Sequence, residues 1–209
     1  GVNLHQINIA DSHISYNRLG GIRIERSEVR NLQITGNDIE YNNHASHDTD
    51  PEPTAEIYVD TTEPGSSVNE ITIASNTIQA TPSSEGSNIR ILNEVQSGRK
   101  PGLWSITGNV IGNQQISVHL AGCHGMVISG NCIYSSEKQN MLIENSKQVL
   151  IGNNLFRRHT PSLGTGVRVE NCSQINIQGC TFQDESETGQ LSELPLLELI
   201  GSELVTITG

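Results

Sequence analysis

One eight-residue motif recurs along the whole chain, and it limits the possible folds more than any other feature. INIADSHI (7–14), LQITGNDI (32–39), ITIASNTI (71–78), WSITGNVI (104–111), MVISGNCI (126–133), VLIGNNLF (149–156), INIQGCTF (175–182) and a final VTITG (205–209) align by eye. The third position is Ile in every copy: Ile9, Ile34, Ile73, Ile106, Ile128, Ile151, Ile177 and Ile207. Apolar and polar residues alternate within each copy, the period of a strand with one buried face. A second alternating segment lies between copies: Ile22–Ile24, Ile57–Val59, Ile89–Ile91, Val118–Leu120, Met141–Ile143, Val167–Val169 and Leu197–Leu199. A third inward position closes the motif at Ile14, Ile39, Ile78, Ile111, Ile133, Phe156 and Phe182. Each repeat therefore supplies three short buried faces.

Successive copies are 25, 39, 33, 22, 23, 26 and 30 residues apart. The consensus is not Leu-dominated and has no helical half, which excludes a leucine-rich repeat. The spacing is too short and irregular for propeller blades of about 40–45 residues. Variable loops on a short coil fit an all-β solenoid, a right-handed parallel β-helix of about eight coils. Like residues then stack at ~4.8 Å from coil to coil, giving a rod of roughly 35–40 Å. The expectation is one solenoid domain over residues 1–209. Neither end carries a recognisable cap, and a solenoid end exposes apolar side chains and strand edges. The segment is therefore expected to belong to a longer chain, or to be capped by flanking domains or by a homo-oligomer.

The sixth motif position is Asn37, Asn76, Asn109, Asn131 and Asn154, replaced by Ser12 and Cys180. Its reading is structural: Asn tolerates the left-handed backbone of a sharp corner, and stacked amides can hydrogen-bond between coils. Trp104 occupies an inward position and is expected in the core. Cys123 and Cys172 stand two coils apart, as do Cys132 and Cys180. Two rungs exceed the ~7 Å reach of a disulfide, so four free thiols are expected.

Composition narrows the function. The net charge of −11 is wrong for nucleic acid, whose affinity comes from Lys and Arg on phosphates. No polybasic patch suits an anionic membrane, and no apolar run reaches the ~20 residues of a spanning helix. No signal peptide is recognisable.

Segments such as GIRIERSEVRNLQITGN (21–37) and GVRVENCSQINIQGC (166–180) make the chain resemble the pectate-lyase-like superfamily, in particular its right-handed β-helix repeat members. The superfamily holds polysaccharide lyases, glycoside hydrolases, epimerases, phage tailspikes and adhesins. The resemblance implies a polysaccharide or oligosaccharide partner and an extracellular or cell-surface location. It does not choose an activity, since one fold hosts many. The calcium-binding carboxylates of pectate lyases cannot be placed on this sequence. The paired Asp motifs of polygalacturonases and the tyrosine–glycine and Asp-Pro-His motif of alginate epimerases are absent.

Loop insertions in a solenoid gather on one face, often the binding face. Here they fall at 42–56, 60–70 and 93–103, flanking the strands around residues 22–25, 56–60 and 88–91. Alternation places Arg23, Glu25, Glu56, Tyr58, Asp60, Asn88, Arg90 and His119 on the outer surface of that sheet. Asp60, Glu25 and Glu56 are the candidate acid–base carboxylates, since glycosidase pairs lie ~5–9.5 Å apart. Arg23, Tyr58, Arg90 and His119 are the candidate sugar-binding residues, with Tyr58 an aromatic exposed to ligand. Solvated strands also carry Arg–Glu pairs by default, and Glu144 and Glu170 share the carboxylate column. His44, His47, Asp48 and Asp50 read as a solvated loop that Pro51 and Pro53 mark as extended, so neither a metal nor any other cofactor is expected. Two functions compete: a carbohydrate-active hydrolase or lyase, and a non-catalytic carbohydrate-binding, adhesin or tailspike-like structural β-helix.

Overall fold

A computed structural model describes residues 3–42, 54–93, 101–159, 164–185 and 193–209. Within them every regular element is a strand, and the strands form three parallel sheets. The first sheet has eight: Asn3–Ala10, Glu28–Thr35, Ser67–Ala74, Gly102–Thr107, His124–Ser129, Lys147–Gly152, Ser173–Gln178 and Glu203–Thr208. The second has seven: His13–Ser15, Asp38–Glu40, Thr77–Gln79, Val110–Gly112, Cys132–Tyr134, Leu155–His159 and Thr181–Glu185. The third also has seven: Ile22–Glu25, Ala55–Asp60, Ser87–Leu92, Ile116–Ala121, Gln139–Glu144, Thr165–Glu170 and Leu197–Ile200. The chain visits the sheets in that order and then climbs one rung, so each strand pairs with its counterpart in the next coil. This is a parallel β-helix.

Register follows the repeat. Ile9, Ile34, Ile73, Ile106, Ile128, Ile151, Ile177 and Ile207 are consecutive Cα partners in the first sheet. From Ile34 to Ile177 the column is buried, while Ile207 on the last rung is 54% exposed. The second sheet adds the Ile39–Ile78–Ile111–Ile133–Phe156 column, and Phe156 stacks on Phe182 with ring centroids 5.2 Å apart. Trp104 is buried, as its motif position requires, and its indole N–H donates to the Val68 carbonyl at 3.1 Å.

The asparagines form a continuous ladder. Asn37, Asn76, Asn109 and Asn131 each donate a backbone N–H and an Nδ2–H to the Oδ1 of the Asn in the next coil, at 2.9–3.0 Å. Each Nδ2 also reaches the carbonyl of the stacked Ile one coil back, as Asn109 does to Ile73 at 3.0 Å. Cys180 takes the same place with a thiol that points at the Ile151 carbonyl at 3.7 Å. One expectation is corrected here. The left-handed residue of this corner is not the Asn but its predecessor: Asp11, Gly36, Ser75, Gly108, Gly130, Asn153 and Gly179. The Asn is required for its amide, the residue before it for its backbone.

The first sheet carries a further regularity. Gln6, Asn31, Glu70, Leu103, Gly125, Gln148, Gln174 and Leu204, one per rung, all have φ between 53° and 62°. This column of left-handed residues bends every strand of the sheet at one level. All four cysteines are free. Between Cys123 and Cys172 lies Ser146, whose hydroxyl accepts from the Cys123 N–H at 3.0 Å and whose N–H points to the Cys172 thiol at 3.4 Å.

Candidate ligand groove on the third sheet

The outer face of the third sheet carries two columns of side chains. The first runs Arg23, Tyr58, Arg90, His119, Leu142, Arg168, Glu198, and the second Glu25, Asp60, Leu92, Ala121, Glu144, Glu170, Ile200. At the early coils these columns floor an open groove of about 520 Å³ lined by Leu19, Arg23, Glu25, Arg26, Tyr58, Asp60, Thr62 and Glu63. Four of the seven residues expected from sequence meet there.

Their contacts interlock. The Arg23 guanidinium lies over the Tyr58 ring, 4.4 Å from its centroid, a cation–π arrangement. Arg23 also donates Nη1 to the Leu19 carbonyl at 2.7 Å and Nη2 to Glu25. Asp60 Oδ1 accepts from the Thr62 N–H at 2.9 Å and its hydroxyl at 2.7 Å, and Oδ2 accepts from the Tyr58 hydroxyl at 3.3 Å. Burial first, then the Asp60 charge, pushes the Tyr58 phenol up to about 12, so it stays a neutral donor. Tyr58 is more covered than its outward position suggested, 7% exposed, because Arg23 lies on its face.

Glu56 is not in the groove. It is fully buried at the corner between the second and third sheets. There it accepts from Asn42, whose N–H bonds Oε1 at 3.0 Å and whose Nδ2–H bonds Oε2 at 2.6 Å. Burial pushes its carboxyl up to about 8; the Asn42 donors oppose that, and Glu40 adds to it. Asn88 is corrected in the same way: it is buried and donates Nδ2 to the Gly112 carbonyl at 2.9 Å. Alternation failed at both because the chain is still turning there, so the first residues of the strand face the corner.

Arg90 and His119 continue the first column one and two rungs beyond Tyr58. His119 Nε2 pairs with Glu144 at 2.7 Å, which draws the Glu144 carboxyl below its usual range. Arg90 is 3% exposed, and burial lowers the pKa of its guanidinium. The loops 43–53 and 94–100, with His44, His47, Asp48 and Asp50, lie outside the described residues.

Sequence reading missed Leu19, Arg26, Thr62 and Glu63, which come from turns, where alternation gives no direction. It also missed His13, Asp38 and Glu40 on the second sheet, whose ligand atoms lie within 4.8 Å of one another. His13 Nδ1 is 3.2 Å from Asp38 and Nε2 is 3.6 Å from Glu40. The outward alternation of that sheet was the signal available. This cluster is solvent-facing and stands on a different sheet from the groove.

Fold and groove together define a right-handed parallel β-helix with a polar cleft on one sheet. The family described as the right-handed beta helix region matches residues 63–192, more than half of the chain, and the protein belongs to it. Among solved structures it is similar to the enzymatically active domain of bacteriophage CBA120 tailspike protein 2, at 13% identity and a TM-score of 0.60. That match covers 99% of this chain and 36% of the tailspike chain, so the protein spans about a third of that structure. A pentapeptide repeat protein, HetL of the cyanobacterium Nostoc sp. strain PCC 7120, aligns over 96% of the chain and 88% of its own at 9% identity. Its TM-score of 0.19 bears on nothing further. No curated protein matches the sequence. No helix of the described residues is long and apolar enough to cross a membrane.

Proposed function

We propose that the groove on the third sheet is a saccharide-binding cleft, and that this β-helix acts on or adheres to a polysaccharide outside the cell. The observation that supports it most is the floor itself. The Arg23 guanidinium, held in place over the Tyr58 ring, with Asp60 fixed by Thr62 and Tyr58, offers a planar cationic surface beside oriented acceptors. Sugar hydroxyls bond the carboxylates and the guanidinium, with Tyr58 acting beneath as the support of Arg23. Precisely placed polar groups on a concave wall are what ligand sites require. The tailspike domain with a similar fold is described as enzymatically active, which supports keeping an enzymatic reading beside an adhesive one.

A hydrolytic reading rests on one pairing. Asp60 and Glu25 are Cα partners on adjacent rungs, ~4.8 Å apart along the sheet, compatible with the ~5–5.5 Å carboxyl separation of retaining glycosidases. Glu56 is not part of this pair.

The test is a glycan array followed by a product assay on retained glycans. Retention by wild type and its loss in Tyr58→Ala supports the cleft. Loss of product with retained binding in Asp60→Asn supports hydrolysis, and retention without product assigns adhesion. Retention unchanged in Tyr58→Ala and Arg23→Ala removes the groove from consideration.

A further inference from the structure

The first two coils carry a separate cluster of reactive groups on the outer face of the second sheet. Along the strand His13–Ser15, Ile14 packs on the core, so alternation turns His13 and Ser15 outward. On the next rung Asp38 is the Cα partner of His13, and Glu40 that of Ser15. The His13 ring bridges these residues in one particular sense. Its Nδ1 is 3.2 Å from Asp38 Oδ2, and its Nε2 is 2.8 Å from the Ser15 hydroxyl. Glu40 Oε1 stands 3.6 Å from the same Nε2, and Gln79 fixes that carboxylate by donating Nε2 to Oε2 at 2.8 Å.

Carboxylate, imidazole and hydroxyl in this order are the three working parts of a nucleophilic serine. With the Asp38 carboxylate beside Nδ1–H, the neutral ring keeps Nε2 as its acceptor, and Nε2 is the nitrogen that faces Ser15. The Asp38 charge then stabilises the imidazolium that forms when the ring takes the hydroxyl proton. The side chains of His13 and Asp38 are 55% and 44% exposed, so a ligand can reach them. Tyr16 follows Ser15 directly. It is 66% exposed and stacks on Tyr41, with ring centroids 5.7 Å apart. This aromatic pair, open to water beside the nucleophile, is a surface on which a substrate can pack.

We propose that Ser15, His13 and Asp38 form an active site, separate from the groove, that hydrolyses small carboxylic esters. Ser15 Oγ bonds to the acyl carbon while its proton passes to His13 Nε2. The bond from that carbon to the alcohol oxygen breaks, and His13 gives the proton to the departing alcohol. Water then adds to the acyl-serine by the same proton route, which frees the carboxylic acid and restores the Ser15 hydroxyl. Asp38 is a positioning residue, since it touches the ring and no reacting atom. Nothing in this site draws on the groove of the third sheet, so either can fail without the other.

The experiment treats the protein with a fluorophosphonate, which bonds phosphorus to a nucleophilic serine and expels fluoride, and maps the label by peptide mass spectrometry. Hydrolysis of p-nitrophenyl acetate is followed alongside. Expected are a label at Ser15 and a turnover that falls about 100-fold in Ser15→Ala and in His13→Gln, the low end of what a positioned base contributes. Asp38→Asn should lower kcat at unchanged KM, and Asp38→Glu should restore part of it. The label on the wild-type chain needs no variant, so it decides the matter even where a variant fails to fold. No label at Ser15 overturns the site, as does a Ser15→Ala turnover equal to wild type, which would leave only an exposed imidazole at work. Turnover lost in EDTA and restored by zinc also overturns it, by giving His13, Asp38 and Glu40 to a metal ion.

Discussion

Replacing Asn109 by Ala should cost far more than the loss of a small polar side chain suggests. Its Oδ1 accepts from the Asn76 N–H and Nδ2–H, each at 3.0 Å, and its Nδ2 donates to the Ile73 carbonyl and the Asn131 Oδ1, again at 3.0 Å. All three asparagines are buried. The substitution leaves the Asn76 N–H with no acceptor, worth about 1–3 kcal/mol, and removes three more neutral hydrogen bonds at about 1 kcal/mol each. Allowing for relaxation, the loss is about 4 kcal/mol, a large share of the 5–15 kcal/mol of a typical domain. For a chain this size it lowers Tm by about 10 °C. Asn109→Asp should lose at least as much. It keeps the acceptor for Asn76 but turns a carboxylate oxygen toward the Ile73 carbonyl and Asn131. Ser12→Ala is the control, because its exposed hydroxyl bonds only the local Ala10 carbonyl. Urea unfolding followed by Trp104 fluorescence and by circular dichroism measures both, Trp104 lying in the same coil as Asn109. An Asn109→Ala loss within about 1 kcal/mol of the Ser12→Ala control would refute the ladder as a source of stability.

Two further outcomes follow from buried charge. Glu56 has a carboxyl raised from 4.5 to about 8, so between those values the fold holds a proton that the unfolded chain releases. Stability is then fully present below about 4.5 and falls as pH rises toward 8, by up to 1.36 kcal/mol per unit; Glu56→Gln should flatten that slope and be the more stable protein at pH 9, by on the order of 3 kcal/mol, as read by melts across pH. Arg158 is buried and bonds Asp184 through Nε at 2.5 Å and Nη2 at 2.7 Å, with Nη1 on the Gly164 and Leu194 carbonyls. Asp184→Ala should cost about 3–5 kcal/mol by stranding that guanidinium; a double-mutant cycle with Arg158→Leu checks it, and the double variant should lose less than the sum of the two.

The fold was legible because a solenoid states each requirement many times over. One Ile or Asn proves little, but eight stacked Ile positions and five Asn positions fix register without help from any single residue. The left-handed column in the first sheet shows the limit of that legibility. Gln6, Glu70, Leu103, Gln148, Gln174 and Leu204 are not residue types that favour a left-handed backbone; the packing of each strand on the next imposes the conformation. Only Asn31 and Gly125 carry the usual residue types for it. The groove was half legible for a related reason. Arg23, Glu25, Tyr58 and Asp60 sit mid-strand or at a strand's end, where alternation holds, while Thr62, Glu63, Leu19 and Arg26 come from turns.

The failure at Glu56 has a physical origin that applies to every rung. In register with it stand Gly21, Asn88, Ser117, Asn140 and Gly166, and every polar member is buried. This column faces the last carbonyls of the second sheet, which have left one ladder before the next begins. Asn42 donates to the Ile14 carbonyl at 2.7 Å, Asn88 to Gly112 at 2.9 Å and Asn140 to Arg157 at 3.4 Å. A buried backbone acceptor needs a donor, so the corner recruits amides and hydroxyls. It takes Gly where there is no room for them, since a Cβ on Gly166 would stand 2.2 Å from the Leu196 carbonyl. Glu56 belongs to this set as the partner of Asn42, so its polarity answers to the backbone of the corner. Strand alternation assigns a polar residue to solvent or ligand by its parity alone, and at a β-helix corner that inference reverses. Asp60, four residues later and clear of the turn, is where the same alternation points correctly into the groove.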